Sequence, residues 1–194
     1  MAVSRKSDDG KITLYTIQRE AAFEALEKDG VLYGKKERII EGFGRAYNWM
    51  VRQMVNRGIV PESAEQEYPV WAWYKLNGKK PDLRTGGFSK RGTPLVMMTI
   101  KVDPSRVLCS DFEFWHYVLN KWALTKNEAE DELFEDDRYF RANHSKTWQR
   151  VFDIDDHELT EYHYGSDPAF RSIQAVLWAV KKDDVVAVRH FIAK

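Results

Sequence analysis

The sequence predicts an α+β protein, with a mixed or mostly antiparallel sheet and helices packed on it. Three observations lead there. Strand-like and helix-like segments follow one another without βα alternation and without an internal repeat, which argues against a doubly wound fold. The hydrophobic fraction is 43% and the charged fraction 31%, the balance of a packed core under a wet surface. Residues 94–122, PLVMMTIKVDPSRVLCSDFEFWHYVLNKW, read as a strand, a turn, a short extended piece and a capped aromatic helix. The 194 residues are enough for one large core, read as a single globular domain over 11–194 after a flexible tail at 1–10.

Each element has its own signal. Residues 12–17, ITLYTI, are β-branched and aromatic and predict a strand. Residues 19–29 place Ala22, Phe23 and Leu26 at helical spacing, with Gly30 where a helix ends. A short extended piece follows at 31–33. Ile39, Phe43, Ala46, Tyr47, Met50 and Met54 predict a helix that Gly58 closes. Residues 68–76 predict a strand with Trp71 and Trp73 on one face and Val70, Ala72 and Tyr74 on the other. Residues 77–92 read as a long loop. In residues 95–102 the buried set is Val96, Met98, Ile100 and Val102. Asp103-Pro104-Ser105 is a turn, and Ser110 or Asp111 caps a helix striped by Phe112, Trp115, Leu119 and Trp122. Helices are predicted at 127–134 and 145–152, a polar connection at 155–168, and strands at 172–180 and 185–192.

Net charge is zero, so no global attraction to nucleic acid or membrane is implied. The charge is unevenly spread: residues 75–91 hold six bases against one acid, and 128–137 hold seven acids and no base. No apolar run approaches the ~18 residues a membrane span needs, and the N-terminal residues lack a signal-peptide core. With one cysteine, these features predict a cytoplasmic protein.

Motif chemistry is sparse. His157 and His163 are six apart, whereas a zinc-peptidase helix needs four, so no metal is expected. Cys109 has no neighbour that would lower its pKa and reads as a buried, inert thiol. His116 reads as a core-edge residue. Residues 85–92, TGGFSKRG, form a glycine-rich loop whose Lys90 and Arg91 could meet phosphate. Trp71, Trp73 and Tyr74, near Arg84, form a candidate platform for an aromatic ligand that carries phosphate.

Two resemblances bear on function. LYTIQ at 14–18, YPVWAWY at 68–74, KPDLR at 80–84, SDFEFWHYVLN at 110–120 and IQAVLWAV at 173–180 together resemble an uncharacterised bacterial family known only as a domain of unknown function. More remotely, LYTI on a first strand, DGVLYG at 29–34 and DDVVAVRHF at 183–191 resemble small ADP-ribosyltransferase-like domains. That resemblance implies an NAD-binding cleft, with Thr16 near the first-strand position that holds NAD and Gln174 near the glutamate that stabilises the ribosyl cation. A neutral glutamine cannot supply that negative charge, so altered or lost transferase chemistry is implied. Two readings follow. One is a nucleotide- or NAD-binding enzyme or former enzyme built on Thr16, Gln174, Trp71, Trp73, Tyr74, Arg84, Lys90 and Arg91. The other is a non-catalytic module for a protein or nucleic-acid partner.

Overall fold

The computed structural model describes residues 10–82, 89–165 and 171–193. In chain order the elements are β1 (Ile12–Arg19), α1 (Glu20–Asp29), β2 (Val31–Tyr33), α2 (Gly44–Asn56), β3 (Val70–Lys75), β4 (Pro94–Val102), β5 (Leu108–Asp111), α3 (Phe112–Asn120), α4 (Glu128–Phe134), α5 (Asp137–Thr147), α6 (His157–Tyr164), β6 (Ile173–Leu177), β7 (Ala179–Lys181) and β8 (Val185–Ile192). Six strands make one sheet in the order β5-β6-β3-β1-β4-β8, and β2 with β7 makes a second. β1 runs antiparallel to β3 and β4, and β4 antiparallel to β8. The α+β class and antiparallel sheet agree with the sequence. Among the described residues no helix is long and apolar enough to cross a membrane.

The described residues fall into two compact units. One lies within Met1–Tyr74, Lys80–Leu108 and Ala175–Lys194, the other within Lys75–Lys79 and Cys109–Gln174. In the first, the β1–β4 ladder pairs Ile12 with Val102, Leu14 with Ile100, Thr16 with Met98 and Gln18 with Val96. Apart from half-buried Gln18, these residues are buried, as alternation predicts. The intervening residues, Thr13, Tyr15, Ile17 and Arg19, point to the other face. Helix α1 ends at Gly30, whose φ of 77° is left-handed and whose N–H bonds to the Leu26 carbonyl. Helix α2 buries Ala46, Trp49, Met50, Gln53 and Met54.

The second unit turns on one carboxylate. Asp111 caps α3 by accepting from the Phe114 N–H at 2.8 Å, and its other oxygen accepts from Arg171 Nε at 2.6 Å. The side chains of Arg171 and Asp111 are 3% and 1% exposed. Arg171 Nη1 also donates to the carbonyls of Ile154 and Asp156, and its guanidinium lies 4.9 Å from the centre of the Phe114 ring. Its backbone carbonyl accepts from Gly78 N–H, and the Ser172 hydroxyl exchanges bonds with Asn77. One ion pair thus ties a strand end, a helix start and two loops.

Several elements differ from the sequence expectation. Helix α2 starts at Gly44, because residues 36–38 form a separate short turn and Gly42 has φ 88°. The predicted polar connection contains α6, capped by Asp156, which bonds the Leu159 N–H. Helix α3 buries Phe114, Trp115 and Val118; Trp122 lies beyond its end and is 53% exposed. The strand predicted at 172–180 is two strands, β6 and β7, separated at Trp178, whose indole N–H donates to the Ile59 carbonyl. The tail expected at 1–10 lies outside the described residues except for Gly10.

Two consequences are measurable. Asp111→Ala strands the Arg171 charge and removes the cap, and should cost about 3–5 kcal/mol in denaturant unfolding. A cost of less than about 1 kcal/mol would show that the pair does not carry this stability. Cys109 is buried and its thiol is pushed up to about 12 by desolvation. At pH 8 a disulfide reagent should therefore label it no faster than the protein opens, and at once in denaturant.

Candidate functional site

The second face of the first unit's sheet is where its chemistry gathers. Ile17, Arg19 and Leu95 share this face through the pairs Ile17 with Met97 and Arg19 with Leu95. Tyr15 opposite Trp73 sets the β1–β3 register, which brings Trp71 beside Ile17. These residues border a cleft of about 930 Å³, whose lining also includes Ala22, Leu32, Tyr33, Lys35, Arg38, Tyr47 and Tyr68. That volume lies within the ~300–1,000 Å³ range of small-molecule sites.

One wall depends on a glycine. Gly34 bridges Tyr68 in antiparallel fashion, and a Cβ at Gly34 would collide with the Tyr68 and Pro69 carbonyl oxygens. Only glycine lets these two strands of backbone approach so closely. Tyr68 is further held by its hydroxyl, which donates to Asn48 Oδ1 at 2.7 Å. The Trp71 and Tyr47 rings meet edge to face, with centroids 5.5 Å apart. Burial pushes the Tyr47 phenol up, so it remains a neutral donor at physiological pH.

The cleft is also cationic. Among the described residues, Arg19, Lys35 and Arg38 line it together with one acid, Glu37. None of these four side chains makes an ion pair or hydrogen bond with a described residue. Three described cations against one described anion, none paired with another described residue, favour a negatively charged occupant.

The sequence-predicted residues distribute as follows. Trp71 lines the cleft. Trp73 is half-buried opposite Tyr15, and Tyr74 is half-buried on the other face of β3, beside buried Val70 and Ala72. Lys90 and Arg91 are exposed in a turn adjoining Ser89, which itself lines the cleft. Arg84 lies outside the described residues. Thr16 is 1% exposed on the core face, where its hydroxyl donates to the Trp71 carbonyl at 2.8 Å and accepts from Gln18 Nε2. Gln174 belongs to the second unit, is 5% exposed, and donates to Ser110 Oγ at 3.2 Å. The cleft just described is lined by neither of them. Sequence reading passed over Arg19, Tyr33, Lys35, Arg38 and Tyr47. A usable signal was present in the period of β1, which puts Arg19 two residues past Ile17, and in the basic run Lys35-Lys36-Glu37-Arg38 beside Tyr33 and Gly34.

Of the second unit's histidines, His116, His144 and His163 pack against aromatic rings, whereas His157 is exposed. On α6, residues six apart stand ~240° apart around the axis, so His157 and His163 leave different faces. His163 Nε2 lies 2.6 Å from the Thr125 carbonyl, which only accepts, so Nε2 carries the proton and Nδ1 faces the Tyr117 hydroxyl at 3.0 Å. Among the described residues no group of three or more His, Cys, Asp or Glu could hold a metal.

Comparison with known proteins places the chain by family. No curated protein matches it. No solved structure matches it either. One family model, described as Domain of unknown function (DUF3841), matches residues 13–140, a stretch that spans β1, the cleft and the start of the second unit. The chain is a member of this DUF3841 family.

Proposed function

We propose that the chain binds a small anionic ligand with a planar ring, of the nucleotide class, in the cleft of its first unit. The observation that carries this reading is the pairing of Trp71 and its neighbouring tyrosines with Arg19, Lys35 and Arg38 around one volume. An indole supplies a flat face for a base, and guanidinium and ammonium groups supply charge for phosphate. Ile17, Leu32 and Leu95 add apolar wall, the mixture small-molecule sites use to hold one end of a ligand and orient the other. The finer form of the reading is an NAD-like dinucleotide, as the ADP-ribosyltransferase resemblance implies. Binding is proposed without a transfer reaction, because Thr16 and Gln174 spend their donors on Trp71 and Ser110.

Thermal unfolding with AMP, ADP, ATP and NAD, each at millimolar concentration, checks this. A ligand at a hundred times its dissociation constant stabilises the native state by about 2.7 kcal/mol. At least one nucleotide should raise the midpoint, adenosine alone less, and Arg38→Glu at an exposed position should cut the affinity about tenfold by placing a like charge beside phosphate. Equal shifts with and without phosphate, or no shift with any of the four, would sink the reading.

A further inference from the structure

Strand β8 ends the six-stranded sheet, and among the described residues no strand pairs with its outer edge. In an antiparallel pair, residues alternately bond the partner strand and point their main-chain groups away from it. The register places Ile192 opposite Pro94, which has no N–H to give, so this pair is of the non-bonded kind. Next along the chain, Ala193 does bond back, donating to the Thr93 carbonyl and accepting from Gly92. By alternation Val188, His190 and Ile192 therefore direct their N–H and C=O groups outward.

Their side chains share a face with buried Val96 and Met98, yet Val188 is 40% and Ile192 57% exposed. His190 marks where the helical cover stops: it pairs with Glu20 at 2.9 Å and meets the Phe23 ring edge-on. Beyond it the apolar layer continues without cover from a described helix, beside a ladder edge that no described strand pairs. Val186, the residue displaced where the register shifts near Thr99, is 53% exposed and prolongs the strip.

On the opposite face, Arg189, Lys80 and Asp82 border a groove of about 340 Å³ with Met97, Thr99 and Ala187, and the two cations outnumber the acid. Arg189 makes no ion pair or hydrogen bond through its side chain with a described residue. Residues 185–192 contain Arg189 and His190 and no acid. Two copies of β8 paired antiparallel about Arg189 would set the two arginines against each other, which disfavours a second copy as the occupant.

We infer that β8 is a strand-docking edge for an extended segment of another protein, with apolar side chains at alternate positions and acidic ones between them. The apolar set extends the covered layer past Val188 and Ile192, and the acids meet Arg189. Main-chain bonds to Val188, His190 and Ile192 supply the register, as in other β-augmented complexes. This inference stands apart from the cleft, which β8 does not line.

A fluorescein-labelled peptide of 8 residues, the length of β8, with alternating valine and glutamate, is the probe. Anisotropy compares it with an alternating valine and lysine peptide. The acidic peptide should bind, and more weakly as salt rises. Val188→Pro removes one outward N–H without touching the β4 ladder and should weaken binding about tenfold. Arg189→Glu should turn the preference toward the lysine peptide. Binding unchanged by Val188→Pro in a protein with wild-type melting would overturn the proposal, as would no anisotropy change with wild-type protein. A concentration-dependent dimer in sedimentation, abolished by Val188→Pro, would assign the edge to a second copy instead. If Val188→Pro lowers the melting temperature, Arg189→Glu decides, because its side chain is exposed and its loss opens no cavity.

Discussion

The ladder between β1 and β4 is the constraint on which the first unit depends. Its eight paired positions commit every second side chain to a dry core, and a slip of one residue would exchange the two faces. Ile12, Leu14, Met98, Ile100 and Val102 fix the register because none of them tolerates water. What remains for the opposite face is set by subtraction. Tyr15, Ile17 and Arg19 arrive there whether or not they have partners, and the cleft forms where Arg19 runs off the sheet into α1. The same alternation, carried one strand further, leaves β8 with apolar side chains that no described helix covers.

The second unit is organised by charge. An aspartate buried to 1% exposure would be intolerable alone, and so would its arginine. Together they fill several needs at once: a helix cap, two loop carbonyls and an aromatic face. Replacing both with well-packed apolar groups can be neutral in such sites, so the pair's hold on geometry matters as much as its stability. Arg171 decides where residues 154–156 and 77–78 lie relative to α3.

Much of the fold was legible because its strongest signals are local. The alternation of Val96, Met98, Ile100 and Val102, the glycine after α1 and the Asp111 cap are each written within a few residues. Legibility failed where the physics was long-range or the signal thin. Helix α6 buries only Leu159 and Thr160, too few to show a period. In residues 172–180 the side chains are buried throughout, and the unbroken apolar run from Ala175 to Val180 cannot say where a strand stops. The buried stripe of α3 is Phe114, Trp115 and Val118 rather than one through Phe112, and Phe114 lies under Arg171, a contact distant in sequence. The candidate cleft is half visible in the sequence: the period of β3 puts Trp71 on the face that lines it, whereas the period of β1 puts Thr16 on the core face. Tyr47, Lys35 and Arg38 become neighbours of Trp71 only through the chain's return at Gly34.

The order of the strands also fixes a schedule for the nascent chain. β4 takes β1 on one side, already synthesised, and β8 on the other, about ninety residues later. Until residues 185–192 emerge, the β4 edge is bare and the first unit is unfinished, while the chain between them has everything needed to close the Asp111–Arg171 pair. Synthesis thus supplies every residue of the second unit before it supplies the last strand of the first, and the strand that covers the β4 edge is itself the new edge.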